Sequence, residues 1–297
     1  MTAGGAPCRE GFLHKNIIKT PGRKVKIPVD KKVHPCYNIP EVYDTPQKKT
    51  TGESDMLELR HLSFSSESGG STKEIIHDVS LTLGEKFIAF TGPNGGGKST
   101  LARLIMGILT PTSGKILLDG EDITDLSVTE RARHGIAFAF QQPVRFKGIT
   151  VADMIGLASG RKLTVSEICS YLSEVGLCAR DYVDREINAS LSGGELKRIE
   201  IATTLARGCR FTVFDEPEAG IDLWSFHSLT RVFENMAEKT EGSLLIISHQ
   251  ERILNIADRI VVIADGRVKE DGTRDEILPK ILSASRCPAL SGKGDPA

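Results

Sequence analysis

The run Gly92-Pro93-Asn94-Gly95-Gly96-Gly97-Lys98-Ser99-Thr100 limits what this chain can fold into more than any other stretch. It matches the pattern G-x-x-x-x-G-K-[ST], and its surroundings are those the pattern needs. The apolar run Lys86–Phe90 leads into it, and the helix-patterned Leu101–Leu109 follows. Glycines let the backbone curl so that successive N–H groups face one anion, and the helix behind them adds its positive end. The candidate phosphate-binding positions are therefore Gly92, Asn94, Gly95, Gly97, Lys98, Ser99 and Thr100. Lys98 is expected to place its ammonium on the β- and γ-phosphates and Ser99 its hydroxyl on Mg2+. This stretch predicts a bound ATP or GTP without saying what hydrolysis drives.

A second chemical signal lies downstream. Phe211–Phe214 reads as an apolar strand ending in two adjacent acids, Asp215 and Glu216. A surface ion pair would not need a buried strand to hold it. Asp215 at the strand end can hold Mg2+, commonly through water, while Glu216 stands one residue further out and can polarise an attacking water as general base. The strand-like run Leu244–Ile247 ends in Ser248-His249, and a histidine there can reach a γ-phosphate.

These signals sit in a regular background. Leu57, Leu59, Leu62 and Phe64 alternate as in a strand, and Ile75–Leu83, Gly114–Leu118, Ile136–Phe140 and a final strand at Arg259–Ala264 read similarly. Val128–His134 reads as a helix, several short amphipathic helices are expected between Val151 and Glu186, and a longer one from about Gly194 to Ala206. Strands alternating with helices of this length predict an α/β fold with a mostly parallel sheet covered by helices.

Composition excludes several classes. Of 297 residues, 39% are hydrophobic, which supports an ordinary globular core, and 38 Lys and Arg balance 39 Asp and Glu. Without a global basic field, nucleic acid is not an expected partner. No apolar run reaches the length of a membrane span, and the N-terminus lacks a signal-peptide pattern, so the chain is expected in the cytoplasm. Cys8, Cys36, Cys169, Cys178, Cys209 and Cys287 form no pair or cluster with metal-site spacing and are read as free thiols. The first 50 residues carry ten Lys or Arg against four Asp or Glu, with six Pro. Residues 1–55 are therefore expected to be a flexible basic arm, either dispensable or in contact with a partner or nucleic acid through its charge, and residues 283–297 a disordered tail.

Leu191-Ser192-Gly193-Gly194-Glu195 turns these readings into a family resemblance. Together with the phosphate loop, Gln141, Asp215-Glu216 and His249, it resembles the ABC-type ATPases over roughly Leu57–Leu282. The resemblance implies a P-loop fold with an antiparallel β part before the parallel sheet, and a helical subdomain at about residues 143–205 within an ATPase domain at 56–282. It implies Mg-dependent ATP hydrolysis in which Ser192, Gly193 and Gly194 contact the ATP held by a second copy in a head-to-tail dimer. Gln141 then senses Mg2+ and water, Glu216 is the catalytic base, and His249 the switch histidine; Lys98 completes the catalytic set. Ala219-Gly220-Ile221-Asp222 matches the loop linking the two sites. Many members stack an aromatic residue on adenine where this chain has Ser66, so base selectivity is expected to be weak unless Phe64 substitutes.

Within that superfamily, Phe138-Ala139-Phe140-Gln141-Gln142-Pro143-Val144 and the run His249–Ile256 resemble the cytosolic ATPases of the Suf iron-sulfur cluster assembly system. That implies a soluble β-helical scaffold protein as partner, docked around Gln142–Lys147 and on the helical subdomain. The proline of Asp215-Glu216-Pro217-Glu218 is instead that of transporter ATPases, and the alternative partner is a membrane permease.

Overall fold

Phe87–Thr91, the strand that feeds the glycine run, has no exposed residue, and it can only be the middle of a covered sheet. A computed structural model describes residues 19–20, 23–24, 56–68, 71–188, 190–219 and 223–285. The chain divides into two units, Met1–Val42 and Tyr43–Ala297. Of the first, one antiparallel pair is described, β1 (Lys19–Thr20) with β2 (Arg23–Lys24). The rest of the expected arm, the tail from Arg286, and Gly220–Asp222 of the site-linking loop lie outside the described residues.

In the second unit, β3 (Leu57–Ser68), β4 (Ser71–Leu83), β6 (Ser113–Leu118) and β7 (Glu121–Asp122) form an antiparallel sheet in the order β4-β3-β6-β7. The main sheet runs β12-β11-β5-β10-β9-β8, with β5 (Phe87–Thr91), β8 (Ile136–Ala139), β9 (Phe211–Asp215), β10 (Ser243–Ile247) and β11 (Arg259–Ala264) parallel. An antiparallel edge strand, β12 (Arg267–Thr273), closes it. The sequence reading takes β11 as the final strand, and β12 corrects it. Arg267, Lys269, Glu270 and Asp271 hide the strand from any apolar pattern, and such charge suits an edge that must not pair further.

The main sheet parts the core into two layers by its period of two. Phe87 and Ala89 of β5, with Leu244 and Ile246 of β10, face one cluster; Ile88 and Phe90, with Leu245 and Ile247, face the other. The register pairs like with like, Leu244 opposite Phe87 and Leu245 opposite Ile88. On one side lie α3 (Val151–Ser159), α4 (Val165–Glu174), α5 (Ala179–Tyr182), α6 (Gly193–Arg207), α7 (Leu223–Lys239), α8 (Glu251–Leu254) and α9 (Arg274–Ser285), through residues such as Ile155, Leu172, Ile199, Phe233, Ile253 and Ile277. On the other, α1 (Lys98–Met106) packs Leu101, Leu104 and Ile105 against the antiparallel sheet. The sequence reading names no helix over α7 or α9. Among the described residues, no helix is long and apolar enough to cross a membrane.

Helix starts are written locally. Ser127 before α2 (Val128–Arg133), Thr150 before α3, Thr164 before α4 and Ser192 before α6 each complete a capping box with an acid three residues on. The end of α1 is held from a distance. Arg131 of α2 is 1% exposed, and its guanidinium donates to the carbonyls of Leu104, Ile105, Leu126 and Thr124 at 2.6 to 3.0 Å. Two of these carbonyls lie in the last turn of α1, where the helix runs out of its own donors and, of the described backbone N–H groups, only that of the cap Gly107 reaches Leu104 O, at 3.1 Å. Arg131→Met is expected to lower unfolding free energy by about 3 kcal/mol, because it leaves buried carbonyls unpaired. Urea denaturation checks this through a lower midpoint at an unchanged slope.

Candidate functional site

Parallel strands β5, β9 and β10 end side by side, Phe90 opposite Ile247 and Ile247 opposite Asp215. Their following loops carry Gly92–Gly97, Glu216 and His249 to one edge of the sheet, the position where open α/β sheets place ligands.

The first loop runs too close to its neighbours for side chains. Gly92 has φ of 125°, and a Cβ there would lie 2.1 Å from the carbonyl oxygen of Ile263. Gly97, with φ of 106°, is the N-cap of α1, and its Cβ would meet Ile76 Cδ1 at 2.8 Å. Unlike the four helices closed by capping boxes, α1 has no side-chain cap and no acid in its first turn. Its first N–H groups lack intrahelical acceptors and carry the positive end of the helix dipole, which fits an anion. Asn94 and Gly95 are exposed at the crest of the loop, and Thr100 is half-buried behind it.

Lys98 is 4% exposed, and its Nζ donates to the carbonyls of Gly92 at 2.8 Å and Pro93 at 2.9 Å. Burial holds its pKa below the ordinary lysine value, against the opposing pull of Glu216 and Asp215. Ser99 Oγ donates to Asp215 Oδ1 at 2.9 Å. Burial pushes the Asp215 carboxyl above its usual range, Ser99 draws it down, and Glu216 pushes it up again. A half-buried hydroxyl and a buried carboxylate in contact are the hard oxygen donors Mg2+ prefers, and a cation there would offset the burial of the acid. The residues fit the ion.

Glu216 adopts φ of 46°, a left-handed backbone that a residue with a Cβ rarely takes. Its N–H donates to Ile247 O at 3.0 Å, which fixes the backbone to β10. Its Oε2 accepts from Gln141 Nε2 at 2.5 Å, and its Oε1 lies 3.8 Å from His249 Nε2. The structure thus gathers Gln141 and His249 around Glu216 and pairs Ser99 with Asp215. Gln141, expected to sense the metal, is held here by Glu216. His249 has a pKa below the ordinary value, because burial and the Lys98 charge outweigh Glu216. Its imidazole is neutral at neutral pH.

Ser192 and Gly193 are exposed at the start of α6, and within one chain they make no hydrogen bond to the Gly92–Thr100 loop among the described residues. Glu195 anchors the turn: it accepts from Ser192 N–H at 2.6 Å and Tyr182 Oη at 2.5 Å, which with other bonds bring its pKa to about 2. An added Cβ at Gly194 would meet nothing within 4 Å. Phe64 is half-buried against the α1-side core.

Two features escape the sequence reading. Glu218, just past Glu216, accepts from Ser248 Oγ at 2.5 Å on one carboxyl oxygen, and its other oxygen is buried with no hydrogen-bond partner among the described residues. Burial raises its pKa. Lys197, buried, and Glu200, half-buried, form an ion pair of α6 on the backbone of Phe140. An acid flanked by Ile199 and Ile201 is the one signal that hinted at it.

Fold and site define a P-loop nucleoside triphosphatase. The model of the ABC transporter family matches residues 76–219. MJ0035, an ABC transporter ATP-binding protein of Methanocaldococcus jannaschii, is 42% identical over 214 residues, which cover 69% of this chain and 85% of that protein. The sulfate/thiosulfate import ATP-binding protein CysA of Brucella melitensis is 36% identical over 213 residues, covering 69% of this chain and 58% of that protein, so the chain spans less than two thirds of this relative. In fold the chain is similar to the ATP-binding cassette MJ0796, solved as a dimer in a post-hydrolysis state bound to ADP and Pi. The TM-score is 0.65 at 22% identity, over 73% of this chain and 98% of that one. The chain belongs to the ABC ATPase family and is an ATP-hydrolysing enzyme that takes ATP with Mg2+.

Lys98→Met is expected to raise the pKa of His249, because it removes a positive charge that opposes protonation while the pull of Glu216 stays. Titration of the ring nitrogens by NMR checks this; an unmoved midpoint would show that the Lys98 charge does not reach the imidazole.

Proposed function

We propose that two copies of this chain close head to tail on two ATP molecules, each lending Ser192–Gly194 to the site built by the other's Gly92–Thr100, and that closure moves a partner docked beside Gln141. The observation that carries the dimer is Gly194. It lies in the first turn of α6 with open space where a Cβ would go, although glycine within a helix costs about 1 kcal/mol relative to alanine. Nothing in the chain's own packing calls for glycine there, whereas close approach of a partner's triphosphate does.

In this reading Ser99 and Asp215 hold Mg2+, which when bound supplies charge stabilisation at the phosphates. Lys98 leaves the carbonyls of Gly92 and Pro93 for phosphate oxygens, and the N–H groups from Asn94 to Thr100 wrap the anion. Glu216 takes the proton of the attacking water. Gln141 fixes one oxygen of that carboxylate, and the neutral His249 donates a hydrogen bond toward the γ-phosphate. With Ser66 at the stacking position and Phe64 packed against the core, most affinity comes from the triphosphate.

The docking face follows Gln141. Phe140, Val144 and Phe146 are exposed apolar residues among the exposed Arg145 and Lys147, a patch suited to bury another chain. For the partner, the relatives' names favour a membrane permease: one is called an ABC transporter ATP-binding protein, another a sulfate/thiosulfate import ATP-binding protein. A soluble iron-sulfur assembly scaffold is the second reading. It is favoured by the Suf-like segments Phe138–Val144 and His249–Ile256 and by Ser66 in place of an aromatic.

Glu216→Gln is expected to cut turnover by about 10²-fold or more while leaving ATP binding intact, so that a dimer accumulates. Light scattering with saturating ATP and Mg2+ reads this directly, and a variant that stays monomeric would overturn the dimer mechanism. Purification of the chain from its native cells in mild detergent decides the partner. A hydrophobic membrane protein in stoichiometric amount is the expected outcome, and a soluble protein accepting an iron-sulfur cluster would replace it with the second reading.

A further inference from the structure

Among the described residues, β8 is the last strand of the main sheet on its side, with β9 as its neighbour. Its ladder ends at Ala139 opposite Phe214, so the peptide groups of Phe140 lie beyond any strand partner. Polar backbone groups in such a place need another donor and acceptor. Both come from α6. Lys197 Nζ donates to Phe140 O at 2.5 Å, and Phe140 N–H donates to Glu200 Oε1 at 3.2 Å. The two side chains also bond each other, Lys197 Nζ to Glu200 Oε2 at 2.8 Å. They stand three residues apart on one helical face, and the Lys197 side chain is 2% exposed.

The residue gripped in this way is the one before Gln141, whose amide holds Glu216 at 2.5 Å. The gripping helix is the one that starts at Ser192–Gly194, with Ser192 and Gly193 exposed. A surface strand end needs only water to satisfy it, whereas a largely buried ion pair is costly to keep unless its geometry does something else. We propose that Lys197 and Glu200 are positioning residues that set Gln141 against Glu216, so that the seating of the α6 start governs the orientation of the catalytic carboxylate. The proposal rests on Gln141 acting on Glu216 as read above. Neither Lys197 nor Glu200 touches nucleotide in it; each acts through the Phe140 peptide.

Lys197 also lies near enough to Asp215 to lower its pKa, which supplies the rival account, a purely electrostatic effect on the metal-holding acid. A double-mutant cycle separates the two. The full chain is assayed for steady-state hydrolysis of Mg-ATP as the parent, as Lys197→Met/Glu200→Gln, as Gln141→Ala, and as all three changes combined. Changing both members of the pair leaves no lone buried charge, and the glutamine keeps an acceptor for Phe140 N–H.

The paired variant is expected to lose roughly 10- to 100-fold in kcat with KM for ATP within about twofold, the signature of a displaced catalytic group with an intact binding loop. In the Gln141→Ala background the same pair of changes is expected to cost nothing further. An equal loss in both backgrounds would overturn the proposal in favour of the effect on Asp215, and an unchanged kcat in the paired variant would overturn it outright. If Gln141→Ala leaves kcat unaltered while the paired variant lowers it, the reading of Gln141 fails and the proposal with it. Should the paired variant not fold, Glu200→Gln alone carries the same cycle. It weakens the pair without emptying the site, and its loss must again vanish in the Gln141→Ala background.

Discussion

Everything at the sheet edge that carries the glycine run and Glu216 depends on the burial of Phe87–Thr91 between β10 and β11. A strand apolar on both faces can be satisfied only in the middle of a sheet covered on both sides, and its neighbours here come from the distant segments Ser243–Ile247 and Arg259–Ala264. Once those three strands and β9 run parallel, their ends fall one strand spacing apart, and the loops that follow meet without further instruction. The glycine run can then be a bare turn of backbone, because β11 lies against it at Ile263 and β5 holds its root.

Charge at this edge is kept by hydrogen bonds rather than by exposure. Lys98 rests on two loop carbonyls, Asp215 on the Ser99 hydroxyl, and Glu216 on the Gln141 amide. Further from the glycine run, Arg131 serves the end of α1 and the Lys197–Glu200 pair serves the end of β8. Each contact joins an element of the α/β core to a loop or helix end that regular hydrogen bonding leaves open. The strained backbone of Glu216 belongs to the same pattern, since its N–H is fastened to Ile247 while its side chain turns to the site.

Local signals were legible wherever one segment carries the whole physical reason. The strand–glycine–helix context of Gly92–Thr100 and the acid pair after an apolar strand are of this kind. Reading failed where the reason lies in a distant neighbour. β12 is charged because it is an edge, which its own sequence does not announce, and α9 runs through Pro279, a residue that argues against a helix although Ile277, Leu278, Ile281 and Leu282 mark its buried side. Gln141 shows the same limit. Its place after β8 was readable, but not that its amide rests on Glu216.

The sequence by itself determined a P-loop enzyme of the ABC family, because the phosphate loop and Leu191–Glu195 each need a fixed order of residue types in one short stretch. It also determined which side chains are available for chemistry. Only the tertiary structure decided how they are grouped: Ser99 with Asp215, Gln141 and His249 around Glu216, and α6 tied to Phe140 through Lys197 and Glu200. The physical reason is separation along the chain. Contacts made across 57, 75 and 116 residues come from the order of strands in the sheet and the seating of helices upon it, and no local pattern of residues encodes them.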